Sequence, residues 1–560
     1  MTTRTKLGPP SPWIVTGDAL RQEIERSNLN RRALLRRGLL LGLGGPAAAI
    51  ASRRGVRAAP PRQLDVKGGD GTLIVSVAGE PLSFNPNLHL DATGFVVACN
   101  IFSMLVTLDG EYNLLPDLAR RWEVAADGLT VTFDLVRRVE WHDGEPVTAA
   151  DVKYSLEAIM ADESAPANSI LDPIASVDAA DDTTVVLNLS APSASLVGSL
   201  GWAGTFILPA HIYEGTDWTT NEANQAPVGS GPFRFASYTP AASIDLLTNY
   251  DYYGDGPHVD RLIFQIIPDA ETAVQALRNG EIDLVYSPPV PMSRIPELRQ
   301  TSGIMVGEQM LPGVFVLGFN LEAGPTSNLD VRRALAQAID RQQILEVALG
   351  GASDAATSFS SLGITPGSTS GPTDGPTAPA LDRDAAAGLE AAGYPVVDDT
   401  RFRLVLPYST GSPAPAAIAA VIGEQLGAIN VETELVALAP GAWEERMRTG
   451  EFDLGVIDGS SGPATPRALV GTGGSGNYWR FSDPAVDALL DEADALLDED
   501  ERAGVDRAFQ EILAEWLPIL PLASVVAFYP YTERATGFAF AGARGEVGLH
   551  RFNLTELDAI

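Results

Sequence analysis

The chain has 560 residues, 45% hydrophobic and 20% charged, the balance of a folded protein too long for one ordinary core, so two or three lobes are expected. A formal net charge of −34 argues against a nucleic-acid partner, because phosphate contact needs a Lys/Arg surplus. No stretch reaches the roughly 18–20 apolar residues that span a bilayer as a helix.

The charge is unevenly placed. Residues 1–59 hold 11 Lys+Arg against 3 Asp+Glu, whereas the remainder carries −42. A basic leader on an acidic body predicts a removable targeting segment. Within it, Asn30-Arg31-Arg32-Ala33-Leu34-Leu35-Arg36 resembles the twin-arginine export motif, with Arg31 and Arg32 as the paired arginines. The run Leu39 to Ile50 is about the length of a signal h-region, and Ala49-Ile50-Ala51 or Ala58-Ala59 offers small residues for cleavage. The one cysteine, Cys99, rules out an intramolecular disulfide. No cysteine follows the h-region to take a lipid, so the expected product is periplasmic or extracellular, soluble and not lipid-anchored. Cys99 itself sits in an apolar run and reads as a small core residue.

Beyond the leader, Thr72-Leu73-Ile74-Val75-Ser76-Val77 predicts a buried strand, and Phe95 to Val106 a packed helix. Leu129, Val131, Phe133 and Leu135 alternate as a half-buried strand, as do Val185, Leu187 and Leu189. Between them Thr148 caps a helix with Val152, Leu156 and Ile159 on one face. Strands follow from Phe233 to Ile267, then a helix through Ala273 and Leu277 that stops at Gly280. A third region opens near Val314, where Asp330 is expected to cap a helix bearing Val331, Ala334, Leu335, Ala338 and Ile339. Gly363 to Pro379 reads as a surface loop. Asp483-Pro484 starts a helix with Val486, Leu489, Leu490, Ala493 and Leu497 inward, and Leu520 to Tyr529 closes as a strand. Strands mixed with helices indicate an α/β architecture.

Eight segments in order carry a resemblance. Leu115-Pro116-Asp117-Leu118-Ala119 with Trp122-Glu123 comes first, then Trp141-His142-Asp143-Gly144-Glu145-Pro146-Val147-Thr148. Val228-Gly229-Ser230-Gly231-Pro232-Phe233, Asn249-Tyr250-Asp251-Tyr252-Tyr253 and Ala276-Leu277-Arg278-Asn279-Gly280-Glu281-Ile282-Asp283 follow. Phe319-Asn320 with Val331-Arg332-Arg333-Ala334-Leu335, Ala391-Ala392-Gly393-Tyr394 and Asp483-Pro484-Ala485-Val486-Asp487 complete the set. Together they resemble the family-5 extracytoplasmic solute-binding proteins, the peptide- and nickel-binding class of ABC import receptors.

The resemblance implies an α/β, two-lobed periplasmic-binding-protein fold with an extra subdomain and a hinge. It implies lobe I from 60–105, 226–310 and 524–560, an inserted subdomain at 106–225 and lobe II at 311–523. The implied role is capture of a small organic solute, a peptide or another, and its delivery to an ABC permease and ATPase complex. The chain is expected to be a monomer that meets the twin-arginine translocase during export. Gly229, Ser230 and Gly231 are expected near the lobe crossover as hinge residues. Phe84, Asn85, Tyr478 and Trp479 fall in segments that border the cleft in this family.

In peptide receptors of the family an aspartate after a strand like Phe452-Asp453-Leu454-Gly455-Val456 pairs with the ligand's α-amino group. Here the loop runs Asp458-Gly459-Ser460-Ser461-Gly462-Pro463-Ala464-Thr465-Pro466. Anchored on Pro466, Gly462 takes the aspartate's place and Asp458 falls four residues early. Ser460 and Ser461 then offer hydroxyls to a neutral or anionic solute, and a register slip would return Asp458 to the amine.

An enzyme finds no foothold. His142-Asp143 reads as turn structure, His211-Ile212-Tyr213-Glu214 lacks a third metal ligand, and Gly471-Thr472-Gly473-Gly474-Ser475-Gly476 lacks the Gly-Lys-Ser/Thr ending of a phosphate loop. No catalytic residue, metal or cofactor is expected. A secreted hydrolase and a sensor subunit remain as other readings.

Overall fold

The computed structural model describes residues 71–89, 91–110, 112–201, 205–351, 356, 384–457, 466–496, 499–538, 550–553 and 555–557. The leader with Arg31 and Arg32, the loop Gly363 to Pro379 and the loop carrying Asp458, Ser460 and Ser461 lie outside them.

The run Thr72–Val77 forms a strand, as its β-branched composition predicts, and takes a central place in an eight-stranded sheet. Its parallel neighbours are Arg261–Ile266 on one side and Leu284–Val285 on the other. Beyond Arg261–Ile266 lie Ser243–Thr248 and Phe233–Thr239, both antiparallel. Beyond Leu284–Val285 come two long antiparallel strands, Ile519–Thr532 and Ile304–Phe319, and then the edge strand Leu454–Ile457.

The long pair joins two bodies. Tyr529 and Tyr531 belong to the lobe I core with Leu73, Val75, Phe233 and Phe264. Val314 to Leu317 and Ile519 to Ala523 belong to the lobe II core with Leu335, Leu404, Ile418 and Trp479. The ladder slips twice, at Met310/Val314 on entry to the lobe II core and at Phe315/Val316 just inside it. Bulges of this kind bend and twist a strand pair, and here they fall where the chain passes from one lobe to the other.

A separate core holds Leu105, Phe133, Trp141, Leu156 and Leu187. It packs under a four-stranded sheet ordered Ala119–Val124, Thr130–Leu135, Thr184–Leu189 and Ile174–Asp181. The helix Ala149–Ala161 covers it, with the Asp151 carboxylate reaching back to the Thr148 amide at 2.8 Å. In lobe II the parallel strands Phe402–Ser409 and Val431–Leu438 flank the helix Pro413–Gly427.

Two expectations need correction. The apolar run after Phe95 is a helix only over Ala92–Ile101, and Val106–Leu108 is a strand. Gly229 and Gly231 press on the helix end, where a Cβ at either would overlap the Ile101 backbone, and the Gly231 amide donates to the Ile101 carbonyl at 2.8 Å. The helix Leu329–Ala338 is capped by Asn328, whose side chain accepts from the Asp330 amide; Asp330 sits in the first turn, where it favours the dipole.

The carboxyl-terminal tail ties lobe I to the subdomain. Arg551 and Asp117, 5% and 1% exposed, meet in a two-pronged pair at 2.8 and 2.5 Å. Arg551 Nε also donates to the Cys99 carbonyl, while the Asp117 carboxylate accepts from Tyr253 Oη at 2.5 Å and the Met104 amide at 2.8 Å. Breaking a buried pair on one side leaves a stranded charge, typically at about 3–5 kcal/mol. Arg551→Ala is therefore expected to destabilise lobe I by about that much, read as a lobe I transition at lower denaturant than that of lobe II.

Candidate functional site

Strand direction locates the gap. Leu284 faces Tyr531 in an antiparallel pair, so the chain leaving Val285 runs toward lobe II, and its parallel partners Thr72–Val77 and Arg261–Ile266 do the same. On the other side Ile457 faces Val316 at the point where Ile304–Phe319 enters lobe II, so Leu454–Ile457 ends pointing at lobe I. The strand–helix–strand connections place Phe402–Ser409 and Val431–Leu438 beside it in the same sense. Both lobes thus present the carboxyl ends of parallel strands to each other. In open α/β sheets that edge is where ligands bind.

On the lobe I edge, Tyr286 follows Leu284–Val285 and stacks on Tyr529, ring centroids 5.5 Å apart. Its hydroxyl meets His550 Nδ1 at 2.9 Å. Burial holds both tyrosine hydroxyls above their usual range and keeps the His550 imidazole neutral, its pKa lowered to about 3. Beside them the turn Asp109 to Asn113 carries Tyr112 with a left-handed backbone, φ 64°. A non-glycine residue held there is strained and commonly sits at functional positions. Gln309, on the long strand, donates to the Gly110 carbonyl at 2.5 Å and also meets Tyr112, so this turn rides on the connection between the lobes.

On the lobe II edge, Trp443 Nε1 donates to the Pro407 carbonyl at 3.3 Å and its ring stands edge-on to Tyr478 at 5.7 Å. Tyr478 is half-buried there, beside Glu444. Of the described residues expected to touch ligand, it is the one placed at a facing edge.

The others do not. Trp479 is fully buried against Gly318 and Gly455, whose missing side chains make room for its ring, so it is a core residue of lobe II. Phe84 packs edge-on to Phe235 and Tyr238 inside lobe I. Asn85 is fully buried in a turn, its side-chain oxygen accepting from the Asn87 amide at 3.1 Å. Asp458, Ser460 and Ser461 follow Ile457 and lie outside the described residues. Gly229, Ser230 and Gly231 sit at the junction of lobe I with the subdomain, Ser230 Oγ on Ser103 Oγ at 3.0 Å, away from the long strand pair.

The titratable groups singled out in the sequence are engaged structurally. His142 bridges the Gly229 amide and the Gly231 carbonyl, and burial lowers its pKa to about 4. His211 pairs with Asp143 at 2.8 Å on the surface. Burial pushes the Cys99 thiol up to about 12, which leaves it inert. Among the described residues no three His, Cys, Asp or Glu gather as a metal site. Two surface hollows, of about 470 and 280 Å³, are lined by subdomain residues such as Tyr154 and Trp218 and by Tyr252, Asp255 and Asn553, none of them on the facing edges.

Residues 113–481 match the family of bacterial extracellular solute-binding proteins, family 5 Middle. The chain belongs to this family. Heme-binding protein A of Haemophilus influenzae is 28% identical over 498 residues, covering 84% of this chain and 90% of that protein. Di/tripeptide-binding protein 1 of Pseudomonas aeruginosa is 26% identical over 501 residues, covering 83% and 91%. The structure of HbpA2 from Haemophilus parasuis superposes with a TM-score of 0.73 at 27% identity, over 87% of this chain and all of that one. The fold of this family-5 protein is therefore the two-lobed binding-protein fold.

Sequence reasoning did not single out Tyr112, Tyr286, Gln309, Tyr529 and His550, a largely buried cluster at the lobe I edge drawn from five distant segments. The one local signal was Asp109-Gly110 before Tyr112, a turn that fixes where the ring stands.

The two buried imidazoles set a pH dependence. Their folded pKa values lie below the unfolded value of about 6.5, so the unfolded chain binds more protons between pH 4 and 6.5. Stability is expected to be complete above about pH 6.5 and to fall as pH drops toward 4. His142→Gln should flatten the slope by up to about 1.4 kcal/mol per pH unit in denaturant titrations at stepped pH.

Proposed function

We propose that this chain is an extracytoplasmic receptor that closes its lobes on a small organic solute and hands it to the permease and ATPase of an ABC importer. The observation that carries the reading is the pair of facing carboxyl edges joined by two bulged strands. A solute touching both edges binds the closed state better and shifts the population toward it. The closed receptor then presents a surface that the importer can tell from the open one. It acts as a binder, not an enzyme, in keeping with relatives named for what they bind.

Relatives named for heme and for di- and tripeptides share this fold, so the choice of ligand rests on the cleft side chains. The described edges contribute tyrosines, a tryptophan and a glutamine. Such groups favour apolar or planar surface with hydrogen bonding at its margins. With Gly462 at the position of the amine-pairing aspartate, free-amine peptides are not the main solute, and Ser460 and Ser461 meet a neutral or anionic one. Tyr478 covers its apolar part, without Trp479.

Calorimetry with a mixed peptide library, and with hemin, tests the ligand class on natively purified protein, alongside mass spectrometry of whatever it retains. A bound solute should compact the protein in X-ray scattering and, at a hundredfold excess over Kd, stabilise it by about 2.7 kcal/mol. Tyr478→Ala should weaken that solute about tenfold, or about 1.4 kcal/mol. Tight binding of free-amine peptides that Asp458→Ala abolishes would restore the peptide reading.

Export follows the twin-arginine route to the periplasm or exterior, with no lipid on the mature chain. Replacing Arg31 and Arg32 with lysines should leave precursor in the cytoplasm on fractionation. Secretion of that double variant at the parent rate would end this part of the reading.

A further inference from the structure

The last segments of the chain complete lobe I, and what they complete was made some 430 residues earlier. Arg551 lies 434 positions from Asp117 and 452 from Cys99, yet it meets both inside the protein. Asn100 donates to the His550 carbonyl at 2.9 Å and accepts from the Phe552 amide at 3.0 Å. The Phe552 ring is fully buried in the lobe I core against Phe264 and Phe538. The Asn553 carbonyl accepts from the His258 amide at 3.0 Å. Four consecutive residues of the tail therefore serve the terminus of the first helix, the core, the buried carboxylate and the turn before Arg261–Ile266.

Without this segment, Asp117 would be a buried carboxylate with no cation, held only by Tyr253 and the Met104 amide. A low-dielectric site strongly disfavours such a group. Lobe I would also lack part of its core. The lobe II core, by contrast, is drawn from residues between Val314 and Val525 and needs nothing from the tail.

We infer that the carboxyl-terminal tail is a completion check on export: lobe I closes only when Arg551 has been made and has paired with Asp117, and the chain leaves the cytoplasm only after that. The inference rests on the twin-arginine reading above, because that route carries chains already folded, whereas the general secretory route carries them unfolded. Folding of lobe II during synthesis would then be insufficient, and translocation would wait until residues 550–553 have been made and packed.

The experiment follows pulse-labelled precursor in a bacterial host with both routes, scoring leader cleavage and compartment. Behind its own leader, Arg551→Ala is expected to be exported at least tenfold less than the parent. Behind a general secretory leader the same variant should cross at close to the parent rate. Protease treatment of the retained precursor should cleave lobe I while a lobe II fragment survives. Export of Arg551→Ala at the parent rate behind its own leader overturns the inference, as does a block that persists behind the secretory leader or a retained precursor as resistant as the parent. Parent-rate export of the Arg31→Lys, Arg32→Lys double variant brings down the route itself and the check with it. A blocked lysine variant with a freely exported Arg551→Ala removes the check alone.

Discussion

Everything that gives this protein a binding site depends on one pair of strands. Ile304–Phe319 and Ile519–Thr532 run together from the lobe I core into the lobe II core. Their antiparallel pairing with Leu284–Val285 at one end and Leu454–Ile457 at the other fixes the direction of every parallel strand in both lobes. Because those directions oppose, two ligand-accepting edges face each other. Had either neighbour paired in the parallel sense, one lobe would have turned its carboxyl edge outward. The same pair is also the connection between the lobes where the ladder is irregular, slipping at Met310/Val314 and again at Phe315/Val316.

The second constraint is on what must not bend. Lobe I and the subdomain are welded by Asp117, Arg551, Tyr253 and the glycine strand at Gly229–Gly231, all buried and mutually satisfied. Lobe II has its own weld. Arg332 spends its donors on the Leu517, Trp516, Thr326 and Ser327 carbonyls, fastening the helix Leu329–Ala338 to the end of Glu499–Trp516. Asn320 likewise reaches the Gly450 and Phe452 carbonyls and orders the entry to the edge strand.

These welds explain what was legible in the sequence and what was not. Asp117, Tyr253, Arg332 and Asn320 all lie in the segments that carried the resemblance, because a buried polar group tolerates few substitutes and so marks a local pattern. The strands and helices were readable for a similar reason, since period-two and 3.6-residue burial is a local property. The site was not. Trp479 and Phe84 were chosen as aromatics next to glycine or turn residues, yet glycines 318 and 455 are small in order to admit the Trp479 ring. An aromatic beside a loop looks the same in sequence whether it fills a core or faces a cleft. The residues that do line the lobe I edge converge from segments around 112, 286, 309, 529 and 550, and no linear pattern joins them. The hinge expectation at Gly229, Ser230 and Gly231 rests on the same kind of local signal, because a glycine-rich segment marks close backbone approach without saying which two bodies approach.

Charge adds a last step to the choice of ligand. Beyond residue 67 the sequence has a single lysine, Lys153, so nearly every cation there is an arginine. Many of those are committed: Arg551 to Asp117, Arg332 to four carbonyls, Arg401 to the Tyr394 and Ile429 carbonyls, Arg467 to Asp491 and Asp494. Arginine suits such fixed geometry because its planar head makes several directed bonds at once. The consequence is a body with a charge of −42 after residue 59 and few cations free to meet a ligand. The field of that body repels an approaching anion at low ionic strength, and only within about 8 Å in physiological salt does the local cleft chemistry take over. On the described edges that chemistry is aromatic and hydroxylic, with Glu444 beside Tyr478. For the solute proposed above, a neutral molecule therefore meets less electrostatic resistance on its way in than an anionic one.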